Sequence, residues 1–556
     1  MSKKMPFVIL ALLFITTMTG QVSERPNFVF ILTDDQPYGL LGVEGNEIVQ
    51  TPSIDKLAKD GIRFTNAYIT SAICTPSRVS ILLSQYERKH GVNFNSGTSI
   101  SDEAWRKSYP VLMGEAGYYT GWVGKNHSPI GEGGYESGLM EQSFDYWYAG
   151  HGHLTFYPKD RHKIFEDAQS DTQVEIIGEG VHDFLDNESK LKGAQHFLEK
   201  RPKDKPFMLS INFNLPHGAS TSTMQMRETD DAIYKTLYRD MDIPLAKHYI
   251  AKADIKEPKL PADLLKVENR QTGYDYVDTP EAVKERYIRQ LQAMTGIDRL
   301  IGNLRKTLKS MNLDSNTILI FTSDHGLFMG QFGLGGKALC YEVTTHVPLI
   351  IYDPKAPRKA KGTTSDALVQ SLDIAPTLLS KAGIRIPDSF QGKDLTALVQ
   401  GGEVGIRNYV FTENLWSTQF GNPRCEAVQN KEWKYIRYYK NNTFPALKKI
   451  ETAKKMGIDP GKILYAVHDP DIAVYRDYVE SPLEGEEPVY EELFNLKIDP
   501  DETTNLISNT QYKKQLETLQ EEWSREIKSA KGEGSPKVYR YTTESQYESG
   551  RYGTPK

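Results

Sequence analysis

The chain of 556 residues contains only three cysteines, Cys74, Cys340 and Cys425. So few exclude a disulfide-stapled scaffold, and an odd number leaves at least one thiol unpaired wherever disulfides form. The expectation is that Cys340 and Cys425 are able to pair while Cys74 is kept for chemistry. Long basic runs are also absent, and the formal net charge is -6 with a pI near 6.1. That balance gives no reason to expect nucleic acid or an anionic membrane as partner, so an anionic ligand has to be met by a local site. Nor does any stretch approach the ~20 apolar residues that crossing a bilayer takes.

What is present is an ordinary globular composition, 39% hydrophobic and 25% charged, on a chain long enough to bury a sizeable core and divide into two domains. At the start, Lys3 and Lys4 precede an apolar run over residues 6–15, followed by Thr16, Thr17, Thr19 and Gly20. This is the order of a secretory signal peptide, residues 1–20, with cleavage expected near Gly20 and a mature protein that is secreted or periplasmic. An uncleaved amino-terminal anchor is the alternative.

Residues 27–32 form a continuous apolar run, the pattern of a strand buried on both faces, and end in Thr33-Asp34-Asp35. Residues 317–321 repeat the pattern and close on Thr322-Ser323-Asp324-His325-Gly326. In open parallel sheets the carboxyl ends of strands line the ligand crevice, so these acidic groups can converge. Further strands are expected at 119–123, 207–213, 347–352 and 409–412, separated by helical patterns such as 191–200 and 281–308. Such alternation implies an α/β fold, a large mixed, mostly parallel sheet sandwiched by helices. Past about residue 400 come short aromatic strands, notably 433–438, and a charged helix over 511–528. They imply a smaller carboxyl-terminal α+β domain with an antiparallel sheet. The expected division is 21–400, then 401–530, then a surface-wrapping tail, 531–556.

The most informative segment is Cys74-Thr75-Pro76-Ser77-Arg78, a loop cysteine placed just before a helix whose early residues are Pro76 and Ser77. A helix amino terminus and a nearby arginine both favour anions and thiolates. From these residues alone a reactive nucleophile and an inert structural cysteine are equally open. The segment, however, resembles the signature of the type I sulfatases of the alkaline phosphatase superfamily, in which this cysteine is oxidised to formylglycine (3-oxoalanine). The Cys-x-Pro-x-Arg core is intact, whereas Ser84 stands where that family usually has glycine.

Other parts of the pattern match in the same order. Asp34 and Asp35 resemble the family's first metal carboxylates, and Asp324 with His325 the second pair, where many relatives have asparagine for the histidine. With a formylglycine oxygen at position 74, so oxygen-rich a set suits Ca²⁺. Gly124-Lys125-Asn126-His127 and Leu215-Pro216-His217-Gly218 resemble elements that bring a lysine and histidines to the nucleophile and the sulfate, and Gly335-Gly336-Lys337 a lysine that grips sulfate oxygens. Singly, each has a bland structural reading; their joint occurrence in one order does not. Residues 492–506 resemble a closing structural motif of the family, whereas Gly150-His151-Gly152-His153 belongs to no shared pattern.

The resemblance, to secreted bacterial polysaccharide sulfatases and to iduronate- and choline-type enzymes, runs from about Phe28 to Leu506. It implies hydrolysis of sulfate esters on a sulfated polysaccharide or oligosaccharide, for example an algal one, after conversion of Cys74 by a formylglycine-generating enzyme. In that reading Arg78 and Lys125 steady the nucleophile. Lys125, Lys337 and His217 bind sulfate, His217 protonates the leaving oxygen, and His127 is the base. The 31 tyrosines and 21 phenylalanines suit stacking on sugars. The alternatives are a phosphodiesterase or phosphonate monoester hydrolase of the same superfamily and a non-catalytic glycan-binding relative.

Overall fold

The computed structural model describes residues 25–92, 97–131, 134–151, 192–217, 236–264, 275–402, 405–415, 422–440, 480–533 and 538–541. The proposed signal segment and His153 lie outside them.

A large sheet is built from β1 (Asn27–Asp34), β2 (Ile62–Tyr68), β3 (Tyr119–Asn126), β4 (Tyr146–His151), β5 (Phe207–Pro216), β6 (Thr317–Ser323), β7 (Leu349–Tyr352) and β8 (Thr363–Gln370). Across it the order is β8-β2-β7-β6-β1-β5-β3-β4. Its strands pair in parallel except β7, which runs antiparallel to β2 and β6. Every residue of β1 is buried, as its apolar run requires. Val29 and Ile31 join one core and Phe28, Phe30 and Leu32 the other, the period-two alternation of a strand covered on both faces.

Each such side chain contributes roughly 1.5–3 kcal/mol through burial. One face packs against helices Pro52–Asp60, Lys192–Lys200 and the long Pro280–Ser310; the other against Cys74–Leu83, Tyr109–Glu115 and Ile374–Lys381. We call Cys74–Leu83 α1 and Pro280–Ser310 α2. The latter starts at a capped terminus: the Thr279 side chain accepts from the Ala282 N–H, and proline follows at once.

A second sheet, β9 (Val410–Asn414), β10 (Arg424–Gln429), β11 (Trp433–Tyr439) and β12 (Tyr490–Asn495), is antiparallel in that order. The helix Lys513–Lys531 packs on it through Leu519, Trp523 and Ile527. Beyond that helix, Val538–Tyr541 pairs with Gly97–Ile100. Among the described residues no helix is long and apolar enough to cross a membrane.

Ser84 ends α1 in the left-handed region, φ 52°, the conformation for which glycine is favoured at a helix end. The serine answers the strain with its hydroxyl, which donates to the Leu372 carbonyl at 2.8 Å and accepts from the Gly392 N–H at 3.0 Å. Cys340 and Cys425 are free thiols whose sulfurs touch at 3.5 Å, longer than a bond.

Candidate active site

Because β1 lies between β5 and β6, and β3 beyond β5, four parallel strands deliver their carboxyl ends side by side. Thr33 is level with Ser323, so Asp34 and Asp324 leave the sheet together. The Asp324 N–H donates to the Thr33 carbonyl at 3.1 Å, and the Asp35 N–H to Asp324 Oδ1 at 3.3 Å. Asp35 holds a left-handed φ of 59°, which aspartate tolerates better than most residues. All three carboxylates are buried.

Cys74 sits as the first residue of α1, not in the loop before it. The sequence pattern started the helix slightly too late; it is capped by the extended Ile73, whose carbonyl accepts from the Ser77 N–H. The Cys74 sulfur lies 3.0 Å from Lys337 Nζ, 3.2 Å from His325 Nε2 and 3.5 Å from Asp34 Oδ1. Arg78, four residues on and therefore on the same helix face, donates through Nε to Asp324 Oδ2 at 2.8 Å and reaches to 3.6 Å from Asp34 Oδ2. Lys125 Nζ donates to Asp34 Oδ2, and Lys337 Nζ to Asp35 Oδ1 at 2.9 Å. His217 Nε2 stands 3.6 Å from Asp35 Oδ2, with its side chain 20% exposed. His127 is buried just past the end of β3. The structure thus brings Asp34, Asp35, Cys74, Arg78, Lys125, His217, Asp324, His325 and Lys337 into one chain of contacts.

Lys125 depends on the residue before it. Gly124 takes φ 101°, and a Cβ there would lie 2.1 Å from the Asn212 carbonyl oxygen, so no larger residue fits without moving β3 or β5. Gly124→Ala is expected to destabilise the protein by about 2–5 kcal/mol through strain and overpacking, read from the urea midpoint. An unchanged midpoint would show that the strand yields.

Three contacts that hold this site together were not read from the sequence, although Ser77 lies within its most informative segment. Arg286 on α2 donates to the His217 carbonyl at 3.2 Å, Asn422 Nδ2 donates to the Lys337 carbonyl at 3.3 Å, and Ser77 Oγ donates to the Asp324 carbonyl at 2.6 Å. Arg286 and Asn422 belong to no motif and arrive only by tertiary packing.

Charge governs the protonation states. Burial alone lowers the His325 imidazole, but the Asp324 carboxylate, with the Cys74 thiol, outweighs it and lifts the group to about 9. His217 is held well below the usual imidazole range, first by burial and then by Lys337, with Lys125 and Arg286 adding to it.

Ligand atoms of Asp34, Asp35, Cys74 and His325 all lie within 4.8 Å of one another, with Asp324 adjoining through its 3.7 Å approach to His325. The carboxylate-rich donor set fits a hard divalent cation such as calcium. Here Lys125, Arg78, Lys337 and His325 neutralise those carboxylates. The Cys74 sulfur marks where a formylglycine would present its oxygens. A raised folded pKa means that the His325 contribution is full below the unfolded value of 6.5 and lost as pH rises through about 9. Calcium-free protein is therefore expected to unfold at lower urea at pH ~10 than at pH ~6.5. A flat profile would remove His325 from the charge balance.

The sulfatase family model matches residues 26–384, and a model for the carboxyl-terminal region of N-sulphoglucosamine sulphohydrolase matches residues 330–457. An N-acetylglucosamine-6-O-sulfatase of Bacteroides thetaiotaomicron is 26% identical over 569 aligned residues, covering 93% of this chain and 89% of its own. An ulvan-active sulfatase of Formosa agariphila is 27% identical over 507, covering 90% and 80%. A solved structure of a protein in complex with its substrate D-glucosamine-2-N,6-O-disulfate shares the fold, with a TM-score of 0.65 at 22% identity, over 92% of this chain and 100% of that one.

Proposed function

Since the chain belongs to the sulfatase family, we propose that it removes sulfate from a sulfated carbohydrate, using Cys74 in its formylglycine form together with a calcium ion. The observation that carries this reading is the buried Cys74 sulfur at a helix amino terminus, within 3.0–3.5 Å of Lys337, His325 and Asp34. The carbohydrate class is supported by the relatives, which act on N-acetylglucosamine 6-O-sulfate and on ulvan by name. Residues 1–20 would direct export, and a formylglycine-generating enzyme would convert Cys74.

Hydrolysing a sulfate ester requires a nucleophile in line with the breaking S–O bond, positive charge on the non-bridging oxygens and a proton for the leaving alkoxide. Formylglycine formed from Cys74 would, when hydrated, supply one hydroxyl to attack sulfur and a second through which sulfate is released. Asp34, Asp35, Asp324 and His325 would hold a calcium ion, which would supply fixed positive charge there. Arg78 orients Asp324 and screens Asp34, while Lys125 and Lys337 hold the sulfate oxygens. His217 is neutral in the protein alone. A sulfate ester arriving beside it brings the negative charge that favours protonation, and Nε2 then gives its proton to the leaving sugar oxygen. His127 is the base for release of sulfate.

His217→Ala is expected to lower turnover of an unactivated sugar sulfate by roughly 10²–10⁴-fold, and much less for an aryl sulfate whose leaving group needs no proton. Equal losses on both substrates would reassign His217. The function itself is tested by peptide mass spectrometry around position 74 on protein made with its maturation enzyme, alongside sulfate release from sulfated oligosaccharides. An aldehyde with sulfate release supports the reading. An unmodified thiol with no hydrolysis, or faster turnover of aryl phosphate than of aryl sulfate, overturns it.

A further inference from the structure

Lys337 sits on a short stretch that the second sheet holds in place. Before it, Gly335 and Gly336 pair with Phe328 and Met329. After it, Ala338 takes a left-handed φ of 69°, a strain of roughly 1–2 kcal/mol for a residue with a side chain, so surrounding bonds must hold it there. The Ala338 N–H donates to the Ala72 carbonyl at 3.0 Å, two residues before the nucleophile. Its own carbonyl accepts from Cys425 Sγ on β10 at 3.7 Å, while the Lys337 carbonyl accepts from Asn422. Cys340, three residues past the lysine, brings its sulfur to 3.5 Å from that of Cys425. Both cysteines are at most 1% exposed, and neither is used in the chemistry described above.

We propose that Cys340 and Cys425 are a positioning pair for Lys337, joined as a disulfide in an oxidising compartment and thereby fixing the sulfate-gripping lysine to the carboxyl-terminal sheet. The inference rests on the reading of Lys337 as a sulfate ligand. Closing the bond brings the sulfurs from 3.5 Å to the ~2.05 Å of a disulfide. Each thiol gives up its hydrogen. The two electrons and two protons pass to a disulfide oxidant of the glutathione type, whose own S–S bond is reduced to two thiols. Burial and the neighbouring Cys340 push the Cys425 thiol far up, away from the thiolate that exchange requires, so the bond forms while the chain is folding. Once formed, it shortens the path by which Ala338 could relax its backbone and carry Lys337 off the sulfate.

The test uses full-length matured protein recovered from an oxidising compartment, with a Cys340→Ala, Cys425→Ala double variant beside it. Denatured wild-type protein is expected to resist alkylation at both cysteines until reduced with a phosphine. Reduction is expected to weaken inhibition by inorganic sulfate, and to raise KM on an aryl sulfate, by about tenfold, a fraction of what a 1 Å misplacement can cost, with a smaller change in kcat. The double variant should show the weakened sulfate binding with or without phosphine, which separates the effect from any reaction of the phosphine elsewhere. Alkylation of both cysteines without reduction, or sulfate inhibition that ignores the thiol state, would overturn the proposal. If the double variant does not fold, the wild-type comparison decides by itself. Failure of the sulfatase reading looks different: no sulfate release from wild-type protein carrying an aldehyde at position 74.

Discussion

Replacing Cys74 with alanine is expected to lower sulfate-ester turnover by on the order of 10⁶-fold, the scale on which hydrolases lose activity without their nucleophile, while the protein remains folded. The side chain is small, and what it contacts is already partnered: Lys337 and His325 both keep Asp35 within 3.2 Å. Alanine also lacks the thiol whose removal from Cβ leaves the formylglycine aldehyde. Cys74→Ser is the sharper variant. Made without a maturation enzyme, it retains one hydroxyl that can attack sulfur, but not the second hydroxyl through which sulfate is expelled, so at most one equivalent of alcohol product should appear per enzyme. Rapid-quench product counting with intact mass spectrometry checks both variants. Multiple turnovers by the alanine variant would place the nucleophile elsewhere.

Asp34→Asn should be the most damaging change to the metal-free protein. The buried Asp34 carboxylate faces the Lys125 ammonium and the Arg78 guanidinium; neutralising it removes one of the carboxylates that balance this buried positive charge, at a cost of up to about 3–5 kcal/mol, with Arg78 still paired to Asp324. Calcium should then fail to help. With the proposed calcium site intact, wild-type protein is expected to gain about 2.7 kcal/mol when calcium stands a hundredfold above its Kd, whereas the variant has lost one of the proposed ligands. Urea unfolding with calcium and with chelator measures both effects. A variant as stable as wild type in chelator would mean that another group balances Lys125. Full stabilisation of the variant by calcium would take Asp34 out of the metal site.

Much of this site was legible before any tertiary contact was known. The runs ending at Asp34 and at Asp324 read as buried strands because a strand covered on both faces is apolar without alternation, and β1 and β6 have that pattern. Parallel strands point their carboxyl ends the same way, so two acidic strand ends could be expected in one crevice. The Cys-x-Pro-x-Arg segment was legible as a cysteine and an arginine close to a helix start, whereas it took the structure to set Cys74 inside the helix and on the face of Arg78. The second sheet was legible from the aromatic run at 433–438, now part of β11.

The sequence by itself therefore determined the strand type, the approximate helix start and the inventory of groups, because these depend on periodicity and spacing within about ten residues. Only the tertiary structure decided which distant groups meet. Arg286 reaches the His217 carbonyl from a helix face shared with ordinary core residues, and Asn422 reaches Lys337 from a loop between the second sheet's strands. Gly124 is required because the Asn212 carbonyl passes beside it, and Ser84 stands in a glycine conformation because Leu372 and Gly392 bond its hydroxyl. Each of these contacts is set by sheet register and by the close packing of separate chain segments, which no local pattern of residues encodes.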